Sequence, residues 1–143
     1  MEFLNQTAVA SVVLGVAVAS SLLLGAFVLF QDTSRVTHRR FAFVCANLGL
    51  WALGVLCIIH MHTAAIAGLA IVLTFAVAAF LPASFYHFIV YFPVQRFEGN
   101  RWILGLLYAG AIVLCGMTLS PWYLTHLEVY PDRPPLVVYG HVF

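Results

Sequence analysis

Lysine is absent from this sequence of 143 residues, and charged side chains make up only 8% of it. A water-soluble domain carries about 25%, so polar side chains are too scarce here to cover a water-facing surface. With 64% hydrophobic residues and a mean hydropathy of +1.03, the solvent for most of the surface is lipid. A net charge of +1 gives no reason to expect nucleic acid as a partner, which would need a clustered basic face. Cysteines are few and odd in number: Cys45, Cys57 and Cys115 form no CxxC pair, so neither a disulfide framework nor a zinc site is indicated. They read as small buried apolar residues.

Catalytic constellations are missing as well. No carboxylate lies inside an apolar run, no nucleophile faces a base in plausible register, and no glycine-rich phosphate loop occurs. The chain is therefore expected not to be an enzyme, and no cofactor is implied.

What is present is four apolar stretches at residues 8–30, 41–60, 64–92 and 102–120. A helix crosses the hydrocarbon core in about 20 residues. The runs are continuously apolar, whereas barrel strands would alternate over about 10 residues. The fold expected is an all-α membrane protein, a single domain over residues 1–143 with a bundle of about four transmembrane helices. The first run has no basic residue before it and exceeds the roughly 7–15 residues of a signal core, so it is expected to be a span and not a cleaved leader. Pro82 sits inside the third run, where its ring clashes with the carbonyl of Ala78 and removes a backbone donor; a kink is expected there.

Arginine placement sets an expected orientation. Arg35, Arg39 and Arg40 lie between the first and second runs, and Arg96 and Arg101 between the third and fourth. Arg133 alone is on the other side, with Glu128 and Asp132. The positive-inside rule puts the two arginine loops in the cytoplasm and both termini outside. Tyr91 and Trp102 then mark the inner interface, and Trp122 and Tyr123 the outer one. Residues 121–143, rich in proline, are expected to be an irregular external tail. Its last residues, 137–143, read either as the opening of a fifth helix or as a tail packed on the bundle, and an end in mid-pattern suggests a truncated or remnant domain.

Histidines are the side chains with the most chemistry to offer. His60, His62 and His126 fall on one side and could hold a metal, haem or chlorin. On a helix, however, residues two apart point about 200° away from each other, so the simpler reading is interfacial rings in contact with water and headgroups. His87 lies within the third run. It is either a proton or ligand sensor or a neutral ring hydrogen-bonded to a facing carbonyl or to Asn47, locking two helices together. Asn47, Ser20, Ser21 and Thr74 are candidates for interhelical hydrogen bonds, and Gly15/Ala19, Ala42/Ala46 and Gly105/Ala109 are small-xxx-small spacings.

Two stretches carry a family resemblance. Arg39-Arg40-Phe41 opens the second run and is followed by Asn47 and by Leu50-Trp51-Ala52-Leu53-Gly54. Leu81-Pro82-Ala83-Ser84-Phe85-Tyr86-His87-Phe88 closes the third. Over about residues 8–143 the chain resembles the first four helices of the seven-helix N-terminal membrane region of bacterial sensor histidine kinases. The resemblance implies a sensory or scaffold module that reads a signal in the bilayer or at its outer face, with Arg40, Asn47, Trp51, Pro82 and His87 as its structural or sensing residues. This sequence holds neither the other three helices nor a kinase region, so phosphotransfer is not carried over.

The function expected is thus a non-catalytic module of the bacterial inner membrane, acting in signal sensing or as an interaction scaffold. Its partners would be the lipid bilayer and other transmembrane subunits or a second copy. The competing expectation is a structural accessory subunit of a respiratory or photosynthetic complex, and a weaker one is a small transporter or pigment-binding protein.

Overall fold

The computed structural model describes residues 2–61, 63–92, 100–120, 124–130 and 133–139, with side chains at 6–61, 63, 66–92 and 100–120. Four helices make up its body: α1 (Glu2–Gln31), α2 (Val36–His60), α3 (Ala64–Ile89) and α4 (Arg101–Thr118). All four are long and apolar enough to cross a membrane, because a bilayer-spanning chain must satisfy its backbone polar groups within each segment. α1 and α2 begin earlier than the apolar runs, since the helices continue into the polar margin. α2 therefore takes in His38, Arg39 and Arg40.

Each turn has a local cause. Asp32 accepts hydrogen bonds from the backbone N–H (3.0 Å) and hydroxyl of Ser34 and from Nε of Arg35 (2.9 Å), an Asx turn that reverses the chain between α1 and α2. Asn100 caps α4, its Oδ1 accepting from the N–H of Trp102 at 2.9 Å. α3 runs unbroken through Pro82. Two residues on, the Ser84 hydroxyl donates to the carbonyl of Leu81 at 2.9 Å.

Neighbouring helices run antiparallel. Along α1 and α2, Gly25 lies against Ala42 and Cys45, Gly49 against Leu22, and Ser11 against His60. Along α2 and α3, Arg40 meets Tyr91, Asn47 meets Ser84, and Gly54 meets Thr74. His87 of α3 meets Tyr108 of α4. The extensive helix contacts among the described residues are these sequential ones, so the helices stand in an open row. Burial follows that order: 28% and 22% of the spans of α2 and α3 are buried, against 6% for α1 and 11% for α4.

Packing is inside-out relative to a soluble domain. The buried positions are mostly small (Cys45, Ala52, Ala67, Ala83, Ala111), with Asn47, Thr74, Ser84 and Thr118 among them. Large apolar side chains face outward: Leu23, Phe30, Trp102 and Leu106 are 70% exposed or more. Helices in lipid gain nothing from hiding leucine from a hydrocarbon solvent, so they associate through small residues that allow close approach and through hydrogen bonds. Of the small-residue spacings, Ala42 lies in the α1–α2 seam, whereas an added Cβ at Gly15 or Gly105 would meet nothing within 4 Å.

The segment after α4 corrects an expectation. It is not wholly irregular: residues 137–139 do not begin a fifth helix, and of the two readings the tail packed on the bundle is the one that agrees, in the form of a strand beside α2. Strands β1 (Leu124–Tyr130) and β2 (Arg133–Tyr139) pair antiparallel, from Leu124↔Tyr139 to Tyr130↔Arg133, beside α2 and α3. Leu127 and Val129 alternate with polar neighbours, and Val137-Val138-Tyr139 are strand formers. Pro134 and Pro135 are tolerated because both strands of a hairpin are edge strands.

Candidate functional site at the arginine-bearing end

The antiparallel row brings the ends of α1 and α3 and the beginnings of α2 and α4 to one end of the molecule. Arg35, Arg39, Arg40 and Arg101 collect there; Arg96 lies outside the described residues. Asp32 accompanies them. Hydrogen bonds from the Ser34 hydroxyl and N–H, with Arg35 beside it, hold its carboxyl below the ordinary carboxylate range. A lowered native pKa favours the folded turn above the ordinary carboxylate pKa, and the contribution fades as pH falls through the lowered value.

His87 is the centre of this end. It is half-buried, in the last turn of α3, with its Nδ1 3.0 Å from the Tyr108 hydroxyl of α4. The two rings meet edge-on at 5.9 Å, and the Tyr91 ring lies 5.5 Å from that of His87. Arg40 of α2 places its guanidinium 5.7 Å from the Tyr91 ring centroid, a cation–π contact. The Thr37 hydroxyl donates to the Tyr91 carbonyl at 3.4 Å. α2, α3 and α4 are thereby tied together through Arg40, Tyr91, His87 and Tyr108. This set offers one titratable imidazole and two phenols next to a fixed cation.

The structure separates what the sequence suggested as partners. Asn47 does not reach His87. It is buried, and its amide donates to the Ser84 hydroxyl at 3.4 Å, because Asn47 lies about two turns deeper in α2 than Arg40. Asn47, Ser84 and the carbonyl of Leu81 thus connect α2 to the turn that holds Pro82. Trp51 stands apart, 39% exposed and about 16 Å along the helix axis from Arg40. Of the other hydrogen-bonding candidates, Ser20 and Thr74 bond the carbonyls of Ala17 and Ala70 in their own helices.

His60, at the opposite end, has its Nε2 2.9 Å from the Ser11 hydroxyl and joins α2 to α1. His62 and the side chain of His126 lie outside the described residues, and among the described residues no three metal-ligating side chains cluster. Tyr108 was missed by sequence reasoning. Its one signal is a phenol inside an otherwise apolar helix, where a hydroxyl needs a partner.

The four membrane-spanning helices among the described residues define a multi-pass membrane protein, with a histidine–tyrosine–arginine cluster at one end. Searches against protein-family models, curated proteins and solved structures find no match to the chain.

Proposed function

We propose that the chain is a non-catalytic module of the bacterial inner membrane that senses a condition of the bilayer or its margin and presents the result to a transmembrane partner. The supporting observation is the His87–Tyr108 hydrogen bond: an ionisable ring inside a span, joining α4 to the rest of the row. Ionisable groups within transmembrane segments are costly and mark function, and histidine is the side chain whose charge changes most readily near neutrality. In the tautomer that carries its proton on Nε2, protonation would turn Nδ1 from acceptor to donor, beside Arg40, Tyr91 and Tyr108, and so change what holds α4. The resemblance of the Arg39–Gly54 and Leu81–Phe88 stretches to the sensor region of histidine kinases agrees with this reading.

Spin labels at Phe85→Cys and Leu106→Cys, both exposed positions, test it in a background free of native cysteines. The α3–α4 distance should change between about pH 8 and pH 5.5, and His87→Gln should abolish the change. An unchanged distance in the unsubstituted protein would remove the sensing role. The alternative of a structural subunit in a larger membrane complex is favoured by one feature: among the described residues α1 and α4 each make extensive contact with one neighbouring helix and keep broad apolar flanks. Stoichiometric co-purification with other subunits in mild detergent would support it.

The arginine-bearing end is proposed to face the cytoplasm. Cysteines placed at Ser34 and Asn100 should be protected from a membrane-impermeant reagent in intact cells and labelled after lysis. Labelling of both from outside would reverse the orientation.

A further inference from the structure

An open cleft of about 400 Å³ lies between the arginine-bearing ends of α1, α2 and α3. Its walls divide by chemistry. Val28, Phe41, Phe88 and Phe92 form an apolar part, with ring centroids of Phe41 and Phe88 5.4 Å apart and of Phe88 and Phe92 5.7 Å apart. Gln31, Arg35, Thr37 and His38 form a polar part. The division follows the helix axes in three of the four apolar residues: Val28 is deeper in α1 than Gln31, Phe41 is deeper in α2 than Arg35 and His38, and Phe88 lies within α3, while Phe92, beyond the end of α3 and 61% exposed, stands at the mouth. A molecule filling this cleft meets polar groups at the mouth and hydrocarbon within, which is the order of an amphiphile at the membrane margin.

The sign of charge at the mouth selects the head. The Arg35 side chain is 54% exposed, and Arg39 is exposed beside it. Asp32 is the acid nearby among the described residues; its ion pair with Arg35 Nε offsets that arginine, and Arg39 and Arg40 in the next turn leave the excess positive. The first turn of α2 holds no acidic residue, and Arg35 makes no capping bond there, so the positive end of the helix dipole adds to the arginines. His38 buries its Nδ1 without a hydrogen-bond partner among the described residues. The tautomer that strands no buried N–H carries its proton on Nε2, which makes the ring a donor. Donors and positive charge therefore converge on the mouth, and basic pockets between transmembrane helices are recognised sites for anionic lipid heads.

We propose that this cleft binds one anionic phospholipid, its phosphate at Arg35 and His38 and the start of an acyl chain against Val28, Phe41 and Phe88. The volume lies within the roughly 300–1,000 Å³ of small-molecule sites and takes the head and upper chain, the rest of the lipid lying along the helices. The proposal goes beyond the proposed function and stands whether the module senses or only scaffolds.

Native mass spectrometry of the full chain, released from nanodiscs of equal phosphatidylglycerol and phosphatidylcholine, tests it. One retained phosphatidylglycerol is expected, in clear preference to phosphatidylcholine. Arg35→Gln should lower that preference about fivefold, the effect of one cation near a lipid surface, while Arg35→Lys should keep most of it. Arg101→Gln removes a cation from the same end but outside the cleft and should leave the preference intact. Thermal unfolding in neutral detergent separates the lipid from a bare anion: phosphatidylglycerol should raise the midpoint, and inorganic phosphate at equal concentration should not. Equal retention of both lipids, an equal loss from Arg101→Gln, or equal stabilisation by phosphate would each overturn the proposal.

Discussion

Replacing Gly54 with alanine is expected to destabilise the helix row by about 1–3 kcal/mol, the cost of forcing an extra methyl group into a packed seam. Ordinarily the exchange would favour a helix by roughly 0.8–1 kcal/mol, so the sign depends on what the new Cβ meets. It would fall on the Thr74 hydroxyl, well inside contact distance, with Thr74 Cβ at 3.1 Å and Cγ2 at 3.3 Å. Thr74 is buried, and its hydroxyl is held by the carbonyl of Ala70, so it cannot simply swing away. Thr74→Ala removes both the hydroxyl and Cγ2 and leaves a contact of 3.1 Å, which a shift of a few tenths of an ångström relieves. The pair Gly54→Ala/Thr74→Ala should therefore recover most of the loss, a non-additivity expected of residues in contact. Gly25→Ala should not be rescued by Cys45→Ala, because there the new atom meets Cys45 Cβ at 2.8 Å, which alanine keeps. Gly15→Ala, with nothing within 4 Å, should cost nothing. Reversible unfolding in mixed micelles measures all of these, and additive effects at positions 54 and 74 would show that the seam is looser than its geometry.

The same seam explains why the sequence reveals the spans and not their interfaces. Apolar length is a property of each segment alone, so the four helices are readable from residues 8–30, 41–60, 64–92 and 102–120 without knowing how they pack. An interface depends on which small residue faces which neighbour. Gly15 and Gly54 look alike in the sequence, yet one faces open surface and the other Thr74. Likewise Asn47 and His87 belong to the two motifs that suggest a common site, but antiparallel packing sets Asn47 against Ser84 and leaves His87 to Tyr108. The hairpin is obscured by Pro134 and Pro135, which argue against a strand wherever the pairing edge is unknown.

His87 and Tyr108 supply the second large effect, and it separates a structural ring from a sensing one. A leucine at position 87 matches the apolar surroundings but leaves the Tyr108 hydroxyl without its partner at 3.0 Å, at a cost of about 1–3 kcal/mol for a stranded polar group. It also removes the ring in contact with both Tyr91 and Tyr108. Glutamine keeps a group that both donates and accepts, so His87→Gln should lose clearly less than His87→Leu. Tyr108→Phe keeps the edge-on ring contact and removes only the hydroxyl, so its loss isolates the hydrogen bond from the aromatic packing. Once leucine occupies position 87, the further change of Tyr108 to phenylalanine should restore stability, because the stranded hydroxyl is then gone. Unfolding of the four variants in mixed micelles at neutral pH gives these numbers. Equal tolerance of glutamine and leucine, with Tyr108→Phe neutral, would mean that the ring answers to lipid headgroups and that α4 is held by packing alone. A large loss for leucine, with recovery in His87→Leu/Tyr108→Phe, would make the hydrogen bond the tie between α3 and α4. Only a tie of that strength can convert a change at the imidazole into a movement of α4.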